Sequence, residues 1–209
     1  MPKMLTLSSR EEWLAERKNR IGSSDAAAVL GKSPHMTNTE LWEIKTGQAE
    51  QRDISGEEYV KYGTEAERYV RGLFDLSSDY IVKYEPNNLW LNDKHPFAHA
   101  SLDGWLISKD GKWGVWECKT VNVVRSGQMQ EWKEGVPTHY YIQCLHHLMV
   151  TEFSFCVLTA LFRFRDDSLR MQSYMIERNE GDIEYLMQKE KEFYECIQDG
   201  KRPNLILNL

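Results

Sequence analysis

The sequence predicts an α/β chain, an α+β sandwich in which a mixed β-sheet is flanked by helices. Helix signals dominate as far as Leu76, strand-like runs follow from Tyr80 to Val121, and the remainder reads as helix, hairpin, helix. The composition suits a packed core, with 41% of residues hydrophobic and 11% aromatic. A length of 209 residues fits one domain, 1–209.

Ser9 and Glu12 form a capping box that opens a helix running to about Arg20. Gly22 breaks that helix, and Ser23, Ser24 and Asp25 are good N-caps for a short alanine-rich helix over 25–30. Thr37 and Glu40 make a second box, before a helix that Gly47 closes. Val60, Ala66, Val70, Leu73 and Phe74 keep near-helical spacing, which predicts a long helix over 57–76. Strands are expected over 80–85, 88–91, 97–107 and 113–121, with the turn signal Lys109-Asp-Gly-Lys112 between the last two. Pro137 suits the first turn of a helix reaching His147 or beyond. Segments 152–164 and 170–177 read as a hairpin about Asp166-Asp-Ser168, and Asn179 caps a last helix to Asp199.

The formal charge of −6 gives no general positive coat for nucleic acid. It leaves room for a groove lined by basic residues, because local potential steers DNA. No run of about 18 apolar residues exists, so no membrane span is expected. The N-terminus Met-Pro-Lys-Met-Leu-Thr lacks the apolar segment of a signal peptide. Cysteines 118, 144, 156 and 196 form no CxxC pair, so reduced thiols and a cytoplasmic location are expected.

One stretch carries unusual chemistry for a core strand. In Trp113-Gly-Val-Trp-Glu-Cys-Lys-Thr-Val121, Glu117 and Lys119 lie two residues apart and therefore on one face. Side by side on a buried strand they are costly unless they pair or bind something. Asp103, in Ser101-Leu-Asp-Gly104, converges on them if the two strands pair. Two carboxylates suit Mg²⁺, which takes oxygen ligands and keeps several waters. Such an ion can activate water, neutralise charge on phosphorus and stabilise the leaving oxygen. The backbone carbonyl of Cys118 is a further candidate ligand, and Lys119 is placed to position the attacking water. On this evidence Glu117 and Lys119 are either a solvated pair or half of an active site. Glu67 groups with Val60, Val70 and Phe74, which turns it toward the core as a third acidic group. Tyr140 and Gln143 are i, i+3 neighbours able to face the strand together. By spacing alone, Arg17 and Arg125 read as surface charges.

The motifs occur in a telling order: Gly22-Ser-Ser-Asp25 after an arginine-bearing helix, Gly63-x-x-x-Glu67, Ser101-x-Asp-Gly104, Glu117-x-Lys119, Tyr140-x-x-Gln143. The series resembles the lambda exonuclease or YqaJ-like viral recombinase family of the PD-(D/E)XK superfamily, over roughly 16–149. The resemblance implies a restriction-endonuclease-like core and a phage or prophage alkaline exonuclease working in a bacterial host. It implies Mg²⁺-dependent 5′-to-3′ digestion of one strand of linear duplex DNA, with two ions and with Mn²⁺ substitution left open. It also implies a trimeric ring around DNA and a single-strand-annealing partner. By position, Asp103, Glu117 and the Cys118 carbonyl would bind metal, Lys119 would activate water, and Glu67 and Gln143 would support them. Arg17 and Ser24 would receive the 5′-phosphate, and Arg125 and Tyr140 would add DNA contacts. An arginine grips phosphate bidentately, which suits that role. The superfamily's proline before the Asp is Leu102 here, which removes no ligand. Two other readings keep the fold: a restriction or repair type endonuclease, and a catalytically silent DNA-binding protein.

Other features read blandly. His146 and His147 sit about 100° apart on a helix and, with His139 and Cys144, lack the spacing of a zinc site. The tryptophans are mostly core, and Lys189-Glu-Lys-Glu192 is a solvated face.

Overall fold

The computed structural model describes residues 1–124 and 126–207. Its elements in chain order are β1 (Pro2–Thr6), α1 (Arg10–Lys18), α2 (Ser23–Val29), α3 (Asn38–Lys45), α4 (Glu58–Ser77), β2 (Ile81–Lys83), β3 (Asn88–Asn92), β4 (Gly104–Ile107), β5 (Trp113–Val123), α5 (Ser126–Glu134), α6 (Thr138–Thr151), β6 (Phe155–Phe164), β7 (Leu169–Glu177) and α7 (Glu180–Gln198). The main sheet has five strands in the order β2-β4-β5-β6-β7. β5 and β6 run parallel, joined by the crossover through α5 and α6, and the other neighbours are antiparallel. This is the expected mixed sheet between helices.

β5 is the central strand, and its alternation divides the core. Val115, Val121 and Val123 face a large apolar cluster built with α2, α6 and α7. Trp116 and Cys118 face the other way, toward Val70 and Phe74 of α4. Trp116 is fully buried, and its indole N–H donates to the Thr159 hydroxyl on β6 at 3.0 Å, which satisfies its polar atom. Gly114 is required by packing: a Cβ there would come within 2.3 Å of the Phe155 ring.

One capping box forms in full, with Thr37 and Glu40 capping each other; the Ser9 hydroxyl accepts the Glu12 N–H, but the Glu12 carboxylate turns back to the N–H and hydroxyl of Ser8. Helix α2 begins two residues earlier than expected. Gly22 is its N-cap, and Asp25 serves as the residue that reaches back, accepting the Gly22 N–H at 2.9 Å. Residue Leu73 of α4 is 54% exposed, so the apolar stripe narrows to Val70 and Phe74.

Three expectations are corrected. The run 97–107 is one strand only from Gly104 onward. Its earlier part divides its backbone bonds between Ile21 and Trp90, and the Asn88 side chain satisfies both the N–H and the carbonyl of Leu102. Neither β1 nor α5 was expected. β1 has an almost wholly exposed pattern, and pairing with β3 specifies it. Segment 152–164 becomes a strand only at Phe155, because Glu152 ends α6 in the left-handed region at φ 57°. The hairpin turns where Asp167 takes φ 59°. Among the described residues, no helix is long and apolar enough to cross a membrane.

Candidate active site

Strand parity places Glu117 and Lys119 on the α6 side of β5. Glu117 is 2% exposed. Its Oε1 accepts from Lys119 Nζ at 2.6 Å and from Gln143 Nε2, one helix layer away, at 2.7 Å. Its Oε2 stands 3.0 Å from Nε2 of His147, which is wholly buried. That approach is off the line of a ring N–H, so Oε2 has ion-pair proximity without an aligned hydrogen bond. Behind Lys119 lies the Tyr140 ring, 5.2 Å from the ammonium.

Asp103 immediately precedes β4, whose first residue pairs with Trp116. This register sets the Asp103 carboxylate beside β5, where Oδ2 accepts the Cys118 N–H at 2.9 Å. Glu67 arrives from α4. One nitrogen of Arg71 donates both to Glu67 Oε1 at 2.8 Å and to the Asp103 carbonyl oxygen at 2.6 Å, tying the helix to the strand entrance. Tyr84 stacks on the same guanidinium, 3.6 Å from ring centre.

Asp103, Glu117, Lys119, Gln143 and Glu67 line a cavity of about 360 Å³, together with Ser101, Cys118, Thr120, Gly63 and Thr64. Arg17, Trp13, Ser23 and Ser24 also line it. The Arg17 guanidinium stacks over the Trp13 ring at 3.9 Å and has no carboxylate within ion-pair distance among the described residues. Gly22, just before Ser23, lies against the His99 ring, where a Cβ would come within 2.8 Å of Cε1.

The charges bear the mark of confinement. Burial raises the Asp103 carboxyl well above its usual range, and the negative Glu117 and Glu67 push it further. Glu67 is raised chiefly by burial, against the opposing pull of Arg71. Burial also acts upward on Glu117, but Lys119 and His147 outweigh it and hold the group down at about 2. Lys119 loses charge stability to burial, yet Glu117 and Asp103 more than restore it, so its pKa is raised and it stays an ammonium. The Cys118 thiol is raised by burial and by the carboxylates around it, so it stays protonated.

The structure therefore brings together Asp103, Glu117, Cys118, Lys119, Gln143, Glu67, Arg17 and Ser24. Tyr140 stands behind Lys119 and is not on the cavity wall. Arg125 lies outside the described residues. His147, Arg71 and Trp13 escaped the sequence reading. His147 had a signal, since it follows Gln143 by four positions on α6 and shares its face. Its neighbour His146 turns away, as adjacent helical residues do, and bonds Glu190 and the His99 carbonyl instead.

Solved structures share this fold. The alkaline exonuclease LHK-Exo from Laribacter hongkongensis superposes with TM-score 0.67 at 22% identity, covering 91% of this chain and 94% of that one. Its complex with dAMP gives TM-score 0.70 at 21% identity over the same shares. A phage related exonuclease from Haemophilus somnus 129PT gives 0.57 at 14% identity, covering 87% of this chain and 96% of that one. At these identities they establish the fold alone, the expected mixed sheet flanked by helices. In sequence, the chain is 31% identical over 202 residues to the uncharacterized protein YqaJ of Bacillus subtilis (strain 168), covering 94% of this chain and 59% of that protein. It thus spans well under two thirds of that relative's length. Since the model of the YqaJ-like viral recombinase domain matches residues 12–154, more than half of the sequence, this chain belongs to the YqaJ-like viral recombinase family.

Proposed function

We propose that this protein is a Mg²⁺-dependent exonuclease that digests one strand of linear double-stranded DNA from its ends, 5′ to 3′, leaving 3′ overhangs for recombination by strand annealing. The observation that carries the reading is one cavity holding Asp103, Glu117 and Lys119 with the ion-unpaired Arg17 on its wall. Membership in a recombinase family and the likeness to alkaline exonucleases support it. The dAMP of one relative's complex is a nucleoside monophosphate, the kind of product that such digestion releases.

The residues fit a divalent cation that prefers oxygen. Burial raises both Asp103 and Glu67, and the negative Glu117 pushes each further up, so the site is short of positive charge. Glu117 Oε2 is buried without an aligned donor. No three His, Cys, Asp or Glu side chains among the described residues form a ready cage. Mg²⁺ needs none, because it binds through one or two carboxylates and completes its shell with water. Asp103, Glu117 and the Cys118 carbonyl would hold it, in one or two sites. When bound, the ion would lower the pKa of attacking water and offset charge on phosphorus.

The chain's own residues do the remaining work. Lys119, held by Glu117 and backed by Tyr140, would orient the attacking water through its ammonium hydrogens. Gln143 keeps Glu117 turned toward the cavity, and Arg71 fixes Glu67 and the Asp103 backbone. Arg17, flattened on Trp13, presents its fork to a terminal 5′-phosphate, with the Ser24 hydroxyl beside it. Arg125 and Tyr140 would add contacts to the duplex. Residues 1–209 would act as a single nuclease domain in a trimeric ring with an annealing partner, in the cytoplasm of a bacterial host.

The test is digestion of linear duplex against covalently closed circles. Linear DNA should be consumed with Mg²⁺, spared with EDTA and spared by Lys119→Ala. Circles cut as readily would mean an endonuclease. DNA binding with no Mg²⁺-dependent turnover would mean a silent binding protein.

A further inference from the structure

We infer that His147 is a positioning residue that fixes the Glu117 carboxylate from behind, so that Glu117 is preorganised to take a divalent cation. The inference rests on the reading of Glu117 as a metal ligand.

The two oxygens of Glu117 are held differently. Oε1 meets Lys119 and Gln143, both on the cavity wall. An ion entering the cavity would compete for that oxygen, and both partners are flexible amphipathic side chains able to yield. Among the described residues Oε2 meets only His147, 3.0 Å away, and His147 is absent from the cavity wall and has no exposed surface. DNA, water and ions in the cavity therefore cannot reach His147. Whatever it does, it does through Glu117.

Gln143 and His147 are one turn apart on α6, so a single helix face holds both oxygens of one carboxylate. That fixes the rotation of the carboxylate plane, which two contacts to one oxygen would leave free. Both ring nitrogens of His147 lack any aligned hydrogen bond among the described residues, and so does Glu117 Oε2. A buried imidazole and a buried carboxylate oxygen without partners are costly, and each is the other's nearest remedy. The Nε2–H is the donor and Oε2 the acceptor. A small turn of the carboxylate as Oε1 leaves Lys119 would align them. Groups that orient metal ligands in this way commonly alter ion affinity by about 10–100-fold when removed.

The test uses the full chain with His147→Leu, which fills the space without a donor, and His147→Gln, which restores one. Mn²⁺ affinity is measured by calorimetry without DNA, alongside single-turnover cleavage and DNA affinity in EDTA. His147→Leu should weaken Mn²⁺ binding about 10–100-fold. It should lower the cleavage rate and leave DNA affinity in EDTA unchanged. His147→Gln should recover most of the Mn²⁺ affinity. Unaltered Mn²⁺ binding in His147→Leu overturns the inference. Equal losses in both variants overturn it too, because packing and not the donor would then matter. If His147→Leu does not fold, His147→Gln decides alone: it must keep Mn²⁺ affinity near the parent's, and a large loss overturns the inference. The two readings separate in the parent protein. Mn²⁺ binding that responds to His147 without any DNA cleavage would sink the nuclease reading and leave the positioning role standing.

Discussion

Replacing Lys119 by alanine removes the one ammonium that balances Glu117. The pair is nearly dry, with side-chain exposures of 19% for Lys119 and 3% for Glu117 and a separation of 2.6 Å. Breaking a buried pair by deleting one partner costs about 3–5 kcal/mol, because the other charge is stranded. Gln143 still donates to Glu117 Oε1, so the lower end, ~3 kcal/mol, applies. For a chain of this size that corresponds to a fall in melting temperature of ~6–12 °C. Glu117 would lose the charge that holds its pKa near 2 and would drift upward. A divalent cation in the cavity can replace the missing charge but not the hydrogen-bond donor toward water. Two melts, with EDTA and with excess Mg²⁺, should therefore show a larger Mg²⁺ gain for Lys119→Ala than for the parent. Cleavage of 5′-phosphorylated linear duplex should stay depressed by about 10²–10⁴-fold even in that Mg²⁺. A variant that melts with the parent, or one that Mg²⁺ restores to full cleavage, refutes the reasoning.

Three further outcomes are expected. If Arg17 receives a terminal phosphate, 5′-phosphorylated ends should be digested faster than 5′-hydroxyl ends, and Arg17→Ala should remove the difference. Charged hydrogen bonds of about 1.5–3 kcal/mol make that difference about 10–100-fold, and equal rates in the parent protein would dismiss the assignment. His99 is pushed down to about 2, first by burial and then by the positive Arg17 nearby, so it is neutral in the folded chain. The unfolded chain takes up that proton below about 6.5, so this stability is intact above that pH and declines as pH falls, by about 1.4 kcal/mol per pH unit. His99→Gln should flatten the decline of stability between about pH 6 and 4.5 measured by urea melts, and an unchanged slope would contradict it. Gly114→Ala should cost about 1–3 kcal/mol, because its Cβ would strike the Phe155 ring. A melt identical to the parent's would show that the ring moves aside freely.

Why some of this was legible and some not comes down to what each signal reports. Strand parity told which residues share a face of β5, so Glu117 and Lys119 were paired correctly from sequence. The same parity is silent on what packs against that face. Gln143 could be chosen from its helical spacing, but nothing local said that α6 crosses β5 so that His147 also lands on Glu117. The spacing of the adjacent histidines bears only on whether the two could share one metal ion. It said nothing of one histidine serving a carboxylate on another element. Arg71 was hidden for a related reason: its link to Glu67 is local, but its second bond, to the Asp103 carbonyl, exists only once α4 is docked on the sheet. The run at 97–103 failed differently. Its apolar residues promise a strand, yet its partners are the Ile21 backbone on one side and the Trp90 backbone and Asn88 side chain of β3 on the other, two separate segments. That division is what sets Asp103 at the mouth of β4 instead of within a ladder, with its carboxylate free to reach the Cys118 N–H. The misread strand and the placing of Asp103 thus have one cause: regular pairing starts only at Gly104, opposite Trp116, so the residue before it meets β5 through its side chain and not through a ladder bond.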